Sequence, residues 1–589
     1  MKRRRRILAR LTLALAALPG AAATAGATPG PSARLALEPC EVPGVAGKLR
    51  CGELAVYENR AARSGRQIRL KILVLPATGS HVAADPLVFL EGGPGESATE
   101  DAAGLAAGLA KIRERRDILL VDQRGTGGSH PLNCVLFEPA GDLQSSLGEF
   151  LPLAAARRCR PALEKNADLT QYTTPIATDD LDEVRAALGY EKLNLYGVSY
   201  GTRAALVYLR RHGRRVRTVT LVGVSPTDQQ MPLYFPRDTE RALNGVLDEC
   251  ASRAPCRAAF PDAKNDLRAV IDRLKQGTVP VEVVNPESGE ASTVRLSRDV
   301  AAETLRYMLY SPAFAGQVPA FLRAAATGDF VPLAEAALFF RQHLVASGSM
   351  GLYLSITCAE DLPGIDPREA ERLAEGTALG DYRYTEQRAA CEVWPRASLP
   401  VGYRRPVHSR VPVLIFSGAW DPVTPPEYGR AVAQSLSRSL HIVVPHGGHG
   451  FEGLKGAECV DRLAADFIER GTTTGLDTRC VASIERPPFL ARAPALRPIS
   501  MTRAELEPFV GSYASKEPPS EATIEFAQGH LRLIRPDSPA AILLPVSPTR
   551  LRVADEPFTA LQFELESGRV RRVVLEEGGA PQITLQPKR

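Results

Sequence analysis

Short apolar runs closed by glycine, proline or aspartate recur along the first part of the chain, and longer stretches with apolar positions three or four apart separate them. Residues 53–77 read ELAVYENR then RQIRLKILVLPA, two strands joined by a polar turn at Ala61 to Gly65. DPLVFLEGGPG (85–95) and RRDILLVDQRGTG (115–127) are buried strands that run into glycine-rich turns. TDDLDEVRAALG (178–189) has an Asp-rich start and a closing glycine, which predicts a helix. Strand KLNLYG (192–197), helix VSYGTRAALVYLRRH (198–212) and strand VRTVTLVGVSP (216–226) follow. Strand and helix in this alternation predict a mainly parallel sheet with helices on both faces.

From about 227 to 408 the alternation stops and helical spacing dominates, as in FPRDTERALNGVLDECA and DAKNDLRAVIDRLKQG, with one strand-like piece around VEVVNPESGEASTVRL. It resumes with strand VPVLIFSGAWD (411–421), helix PPEYGRAVAQSLSR, strand LHIVVPHGGHG (440–450) and helix CVDRLAADFIERG. The middle therefore reads as an insertion, a helical lid over the sheet's C-terminal edge. Residues 487–499 form a proline-rich linker, and from 500 to 589 apolar and polar residues alternate between turn residues, as in a small antiparallel β domain.

Within KLNLYGVSYGTR (192–203), Gly197-Val198-Ser199-Tyr200-Gly201 matches G-x-S-x-G at the junction of a buried strand and a helix. Such a turn is tight, so small residues are needed on either side and the serine hydroxyl projects at the sheet's C-terminal edge. A serine hydroxyl is a poor nucleophile without a base to take its proton and an acid to orient that base. Asp421 and His449 end the two later strands and complete the order Ser, Asp, His. Two other readings stay open: Asp421 as a plain Asp-Pro turn, with Asp361 or Glu360 as the acid, and His446 as the base in place of His449. An oxyanion needs donors, and the N–H groups of Tyr200 and of Gly93 in Gly92-Gly93-Pro94-Gly95 are the candidates. This chemistry requires no metal or organic cofactor.

Composition narrows the setting. The first 27 residues carry a basic patch, an apolar run from Leu11 to Leu18 and small residues ending Ala23-Thr24-Ala25 or Ala25-Gly26-Ala27, the pattern of a secretory leader. Arg4-Arg5-Arg6 also admits a twin-arginine route. Loss of the leader's six basic residues takes the formal charge from +5 to about −1, so nothing points to nucleic acid. No later run has the roughly 20 apolar residues of a membrane span. Ten cysteines without a C-x-x-C pair favour disulfides in an exported chain, periplasmic or extracellular. They fall into the near couples 40 with 51, 134 with 159, 250 with 256, 358 with 391 and 459 with 480.

The motifs EGGPGES (91–97), DQRGTGGS (122–129), GVSYGT (197–202), GAWDPVTP (418–425) and GGHG (447–450) together resemble the α/β hydrolases that include proline iminopeptidases and secreted tripeptidyl aminopeptidases. The resemblance covers residues 40 to 485. It implies an α/β fold of the α/β-hydrolase type over 28–226 and 409–486, interrupted by the lid at 227–408. Glu91 stands where iminopeptidases usually have histidine, a departure that favours the tripeptidyl branch, as do ITCAED (356–361) and CEVW (391–394). The resemblance also implies a serine exopeptidase acting on peptides with a free N-terminus, releasing a tripeptide or a single proline-type residue. Acidic lid residues would bind the substrate's ammonium, and Glu360 and Asp361 match that role; a Cys358–Cys391 bond would fix their loop. Asp122 and Arg124 read as a structural pair beneath the site, and the C-terminal unit as a stabilising or spacing module. The alternatives are a carboxylesterase using the same triad and a non-catalytic hydrolase-like binding protein, which would lack a triad member; none is missing.

Overall fold

The computed structural model describes residues 35–136, 142–494, 497–516, 519–536, 538–577 and 580–588, so the leader lies outside the described residues. The first part of the core supplies β1 (Glu38–Cys40), β2 (Leu49–Tyr57), β3 (Gln67–Leu75), β4 (Leu87–Leu90), β5 (Ile118–Val121), β6 (Leu193–Val198) and β7 (Val216–Val222). The insertion holds a hairpin of β8 (Val279–Val284) and β9 (Ala291–Leu296), after which β10 (Val413–Gly418) and β11 (Ser439–Val444) rejoin the sheet. The order across the sheet is β1-β2-β3-β5-β4-β6-β7-β10-β11.

The pairs from β1 to β3, and β3 with β5, are antiparallel, whereas every pair from β5 to β11 is parallel. A tight turn suffices for the first kind, while each parallel return needs a crossover, which the helices provide. Strands β4, β6, β7 and β10 are almost wholly buried, which explains their continuous apolar sequences. Their C-terminal ends lie at one edge, where an open α/β sheet places its ligands.

Two sequence expectations change. The helix expected from Thr178 begins at Thr174 and runs to Ala187, because Pro175 sits in its first turn, where a missing N–H costs nothing. Asp180 thus lies inside the helix, buried, and takes both Nε and Nη2 of Arg124 at 2.6 and 3.0 Å. Arg124 is therefore not the partner of Asp122. The Asp122 carboxylate instead accepts from Ser97 Oγ, from the N–H and hydroxyl of Thr99, and from the Gly128 N–H. Each group anchors a different loop beneath the site.

Helices dominate residues 227–408 and bury their own apolar cluster, including Leu305, Phe321, Leu352 and Ile356. Beyond the linker, β12 (Gly511–Lys516), β13 (Pro519–Ala527), β14 (His530–Arg535), β15 (Ser538–Ser547), β16 (Arg550–Val553), β17 (Thr559–Glu566), β18 (Arg569–Glu577) and β19 (Ala580–Pro587) form a closed antiparallel barrel. Its interior is filled by Phe509, Tyr513, Leu543, Leu551 and Phe563. Phe558 packs against Phe314, Phe339 and Phe340 of the lid, and the buried Arg552 pairs with Glu335 at 3.0 Å. The barrel thus docks on the lid's helices. All five cysteine couples are disulfides, and no helix among the described residues is long and apolar enough to cross a membrane.

Candidate active site

Ser199 stands between β6 and the helix Tyr200–His212 with φ 55° and ψ −124°, a conformation that costs a non-glycine residue of order 1–3 kcal/mol. The surroundings hold it there. Its N–H donates to the Val222 carbonyl at 2.9 Å, and its carbonyl accepts from Thr202 Oγ1 at 2.6 Å. The flanking glycines are obligatory: a Cβ on Gly201 would lie 1.9 Å from the Leu90 carbonyl oxygen, and one on Gly197 2.5 Å from that of Gly201. The sharp turn predicted from the motif is present, strain included.

Asp421 and His449 meet at the ends of β10 and β11. His449 Nδ1 lies 2.8 Å from Asp421 Oδ2. The carboxylate is wholly buried, and its Oδ1 accepts from the N–H groups of Val423 and Thr424, each at 2.8 Å. Burial works against the charged form of Asp421, but His449 and these donors outweigh it and hold its pKa below the usual range. Burial likewise opposes a charged imidazole, yet Asp421 raises the His449 pKa above the ordinary histidine value. Thr424 completes the group, donating to Asp421 Oδ2 at 2.7 Å and lying 3.1 Å from His449 Nδ1. Sequence reasoning missed this threonine, although its place three residues after the aspartate in D-P-V-T is the signal of a side chain turned back on its own loop. The Tyr310 and His449 rings meet edge to face, with centroids 4.9 Å apart.

Ser199 and His449 line one cavity of about 250 Å³ beneath the lid. His446 does not reach it. That residue pairs instead with Glu249 at 2.6 Å, outside the cavity. Gly93 and Tyr200 are on the cavity wall, the latter at the first position of a helix whose N–H dipoles favour negative charge. Gly93 has φ 97°, and a Cβ there would meet the Gly95 nitrogen at 2.7 Å, so only glycine brings this backbone in. The loop is tied to the lid where the Ser349 N–H donates to the Gly95 carbonyl at 2.9 Å.

Glu360 and Asp361, expected to take the substrate's ammonium, do not line the cavity. They are buried at the end of the lid helix Met350–Glu360, and Arg203 of the elbow helix sits 2.8 Å from Asp361. Glu360 also accepts from the N–H and hydroxyl of Thr174 at 2.7 and 2.8 Å and from the Tyr403 hydroxyl. Carboxylates so engaged brace the helix behind Ser199 and are not open to a ligand. That expectation is corrected.

The acids on the cavity wall are Glu91 and Glu96, which flank the glycine loop. Burial, then the neighbouring Glu96 and Asp101, pushes the Glu91 carboxyl up to about 8. Burial also raises Glu96, partly offset by His449. Glu91 Oε1 is buried without a hydrogen-bond partner. Both residues lie in EGGPGES, on either side of the glycine loop, but only folding turns them inward. Arg306 and Arg383, also on the wall, share the Glu303 carboxylate at 2.8 and 2.6 Å. Burial alone would raise the Glu303 carboxyl; the two guanidiniums hold it low instead. The cavity wall thus carries two carboxyls and two guanidiniums, the latter both paired with Glu303.

Residues 85–255 match the model of the α/β hydrolase fold, and residues 377–480 match the model described as TAP-like protein. The serine protease Hip1 of Mycobacterium tuberculosis is 27% identical over 489 residues, covering 74% of this chain and 88% of its own. The tripeptidyl aminopeptidase of Streptomyces lividans is 26% identical over 475 residues, 73% of this chain and 83% of its own. Carboxylesterase B of Mycobacterium tuberculosis is 25% identical over 461 residues, 73% of this chain and 86% of its own. The strained elbow stands inside the first match and the Asp421–His449 pair inside the second, so the chain carries an α/β hydrolase domain and a TAP-like segment that together hold the elements of a serine hydrolase.

Proposed function

We propose that the protein is an exported serine exopeptidase that releases residues, a tripeptide or a single proline-type residue, from free peptide N-termini. Ser199 attacks the scissile carbonyl while its proton passes to His449, which Asp421 orients. The N–H groups of Gly93 and Tyr200 hold the oxyanion. As the C–N bond breaks, His449 gives the proton to the departing amine and leaves an acyl-enzyme. Water then loses a proton to His449, adds to the acyl carbon, and Ser199 departs with that proton. Export is supported by the leader pattern and by five disulfides.

The observation that carries the exopeptidase reading is the pair Glu91 and Glu96 on the wall shared with Ser199 and His449. Two carboxyls raised by burial gain most from an occupant that is a cation, and a free peptide N-terminus is one. A cavity of about 250 Å³ also suits the short end of a peptide better than its middle. Acetylating the substrate's amino end is expected to lower kcat/KM roughly ten- to a hundredfold, the worth of a charged hydrogen bond. The check is one acyl sequence assayed free and blocked. Equal rates would favour the second reading, a carboxylesterase, which the similarity to carboxylesterase B supports.

A pH profile follows from the same site. The base must be neutral to act, and the Asp421 carboxylate holds the His449 pKa above its usual 6.5. Activity therefore falls as pH drops, and the acid limb of kcat/KM is expected above pH 6.5. A limb at or below that value counts against His449 as the base.

A further inference from the structure

A second, larger cavity of about 590 Å³ also borders His449. It opens between the helices Ala102–Gly108 and Glu458–Arg470, beside the ends of β4, β6 and β7. Val198 and His449 line this cavity and the one beneath the lid, so the two meet at the catalytic edge. Its floor is apolar, with Phe89, Leu105 and Val460. Asp101, Glu452 and Asp461 line it too, and among the described residues no lysine or arginine does. All three stand at its exposed rim, where partial desolvation still raises the Asp101 and Asp461 carboxyls, the latter also through Glu458 and Glu452. Gly104 and Gly108 keep the mouth wide, and a Cβ on Gly108 would meet nothing within 4 Å.

Resting on the exopeptidase reading, we propose that this cavity receives the leaving half of the peptide, and that its three carboxylates favour basic over acidic residues there. The chemistry dictates the side. In the breakdown of the tetrahedral intermediate the departing nitrogen takes its proton from His449, so the chain attached to it must run past that imidazole. The acyl half, with its ammonium, occupies the lid cavity beside Glu91 and Glu96. What remains can be of any length, and the larger cavity lies where it has to go. An apolar side chain fits the floor, a lysine or arginine meets the carboxylates, and an acidic side chain or a nearby C-terminal carboxylate is repelled.

The test keeps one free-amino acyl half and varies what leaves: methoxide, Leu-Lys-amide or Leu-Glu-amide. The full-length enzyme is expected to turn over the Lys peptide at least several-fold faster than the Glu peptide in kcat/KM. Gly108→Trp, which fills the cavity from an open position, is expected to lower the peptide-to-methyl-ester ratio of kcat/KM about tenfold. Asp461→Asn, on the exposed rim, should bring the Lys and Glu peptides closer together by several-fold. An unchanged peptide-to-ester ratio in Gly108→Trp, or an unchanged Lys-to-Glu ratio in Asp461→Asn, overturns the proposal. Failure of the exopeptidase reading shows elsewhere, as equal rates on free and acetylated substrates with the unmodified enzyme, since the leaving-group comparison holds the acyl half constant.

Discussion

Ser199→Ala is expected to lower kcat by roughly 10⁴- to 10⁶-fold while leaving unfolding within about 0.5 kcal/mol of the parent. The two halves of this expectation have different causes. Removing Oγ removes the atom that bonds to the substrate's carbonyl carbon, and no neighbouring group supplies another nucleophile in that geometry. Stability is spared because alanine inherits the same backbone strain at φ 55° and is held by the same main-chain hydrogen bonds from Ser199 N–H to Val222 and from Thr202 to its carbonyl. Residual turnover from the oxyanion donors and binding alone would be slow. The check is a steady-state assay beside a thermal melt. Full turnover in a folded variant removes Ser199 from the mechanism, and loss of the fold with the activity would make the residue structural.

Asp421→Asn is expected to cost about 10⁴-fold in kcat at nearly unchanged shape. Asparagine Oδ1 can still accept from the Val423 and Thr424 N–H groups, so the loop after β10 keeps its turn. The other terminal atom changes from an acceptor to a donor, and it faces both the Thr424 hydroxyl and His449 Nδ1, which Asp421 Oδ2 now receives. The imidazole then presents Nδ1 as the acceptor and carries its proton on Nε2, which leaves no lone pair for the serine proton. The charge that raises the His449 pKa is lost as well, so the residual activity's acid limb is expected to move to lower pH. Activity within tenfold of the parent would mean that another acid orients His449. Glu360 and Asp361, the other acids considered, are already engaged by Arg203 and Thr174.

Much of this architecture is legible in one sequence because it is local. The apolar runs of β4, β6, β7 and β10 are continuous because both sheet faces are covered, and that coverage leaves its mark residue by residue. The elbow is legible for a similar reason: the absent side chains at Gly197 and Gly201 report a close approach of backbone that nothing larger allows. The cysteine couples lie close along the chain, so their partners need little knowledge of the fold. The start of the helix Thr174–Ala187 is masked in the sequence because two aspartates that resemble a cap are spent elsewhere, Asp180 on Arg124 and Asp179 on Arg211.

What the chain alone determined, then, is the order of strands and helices, the insertion, the barrel's alternation, and the Ser, Asp, His succession at three strand ends. Tertiary structure decided which acids meet the substrate cavity. Glu360 and Asp361 look as available in sequence as Glu91 and Glu96, yet the first pair is drawn inward by Arg203 and the second is left on an open wall. It also decided that His449, not His446, joins Asp421, and that a second cavity meets the first at the imidazole. The physical reason is common to all three. A side chain's charge and reach belong to its residue type, but the low-dielectric surroundings and the partner that determine its use come from segments far away along the chain, brought beside it only by folding.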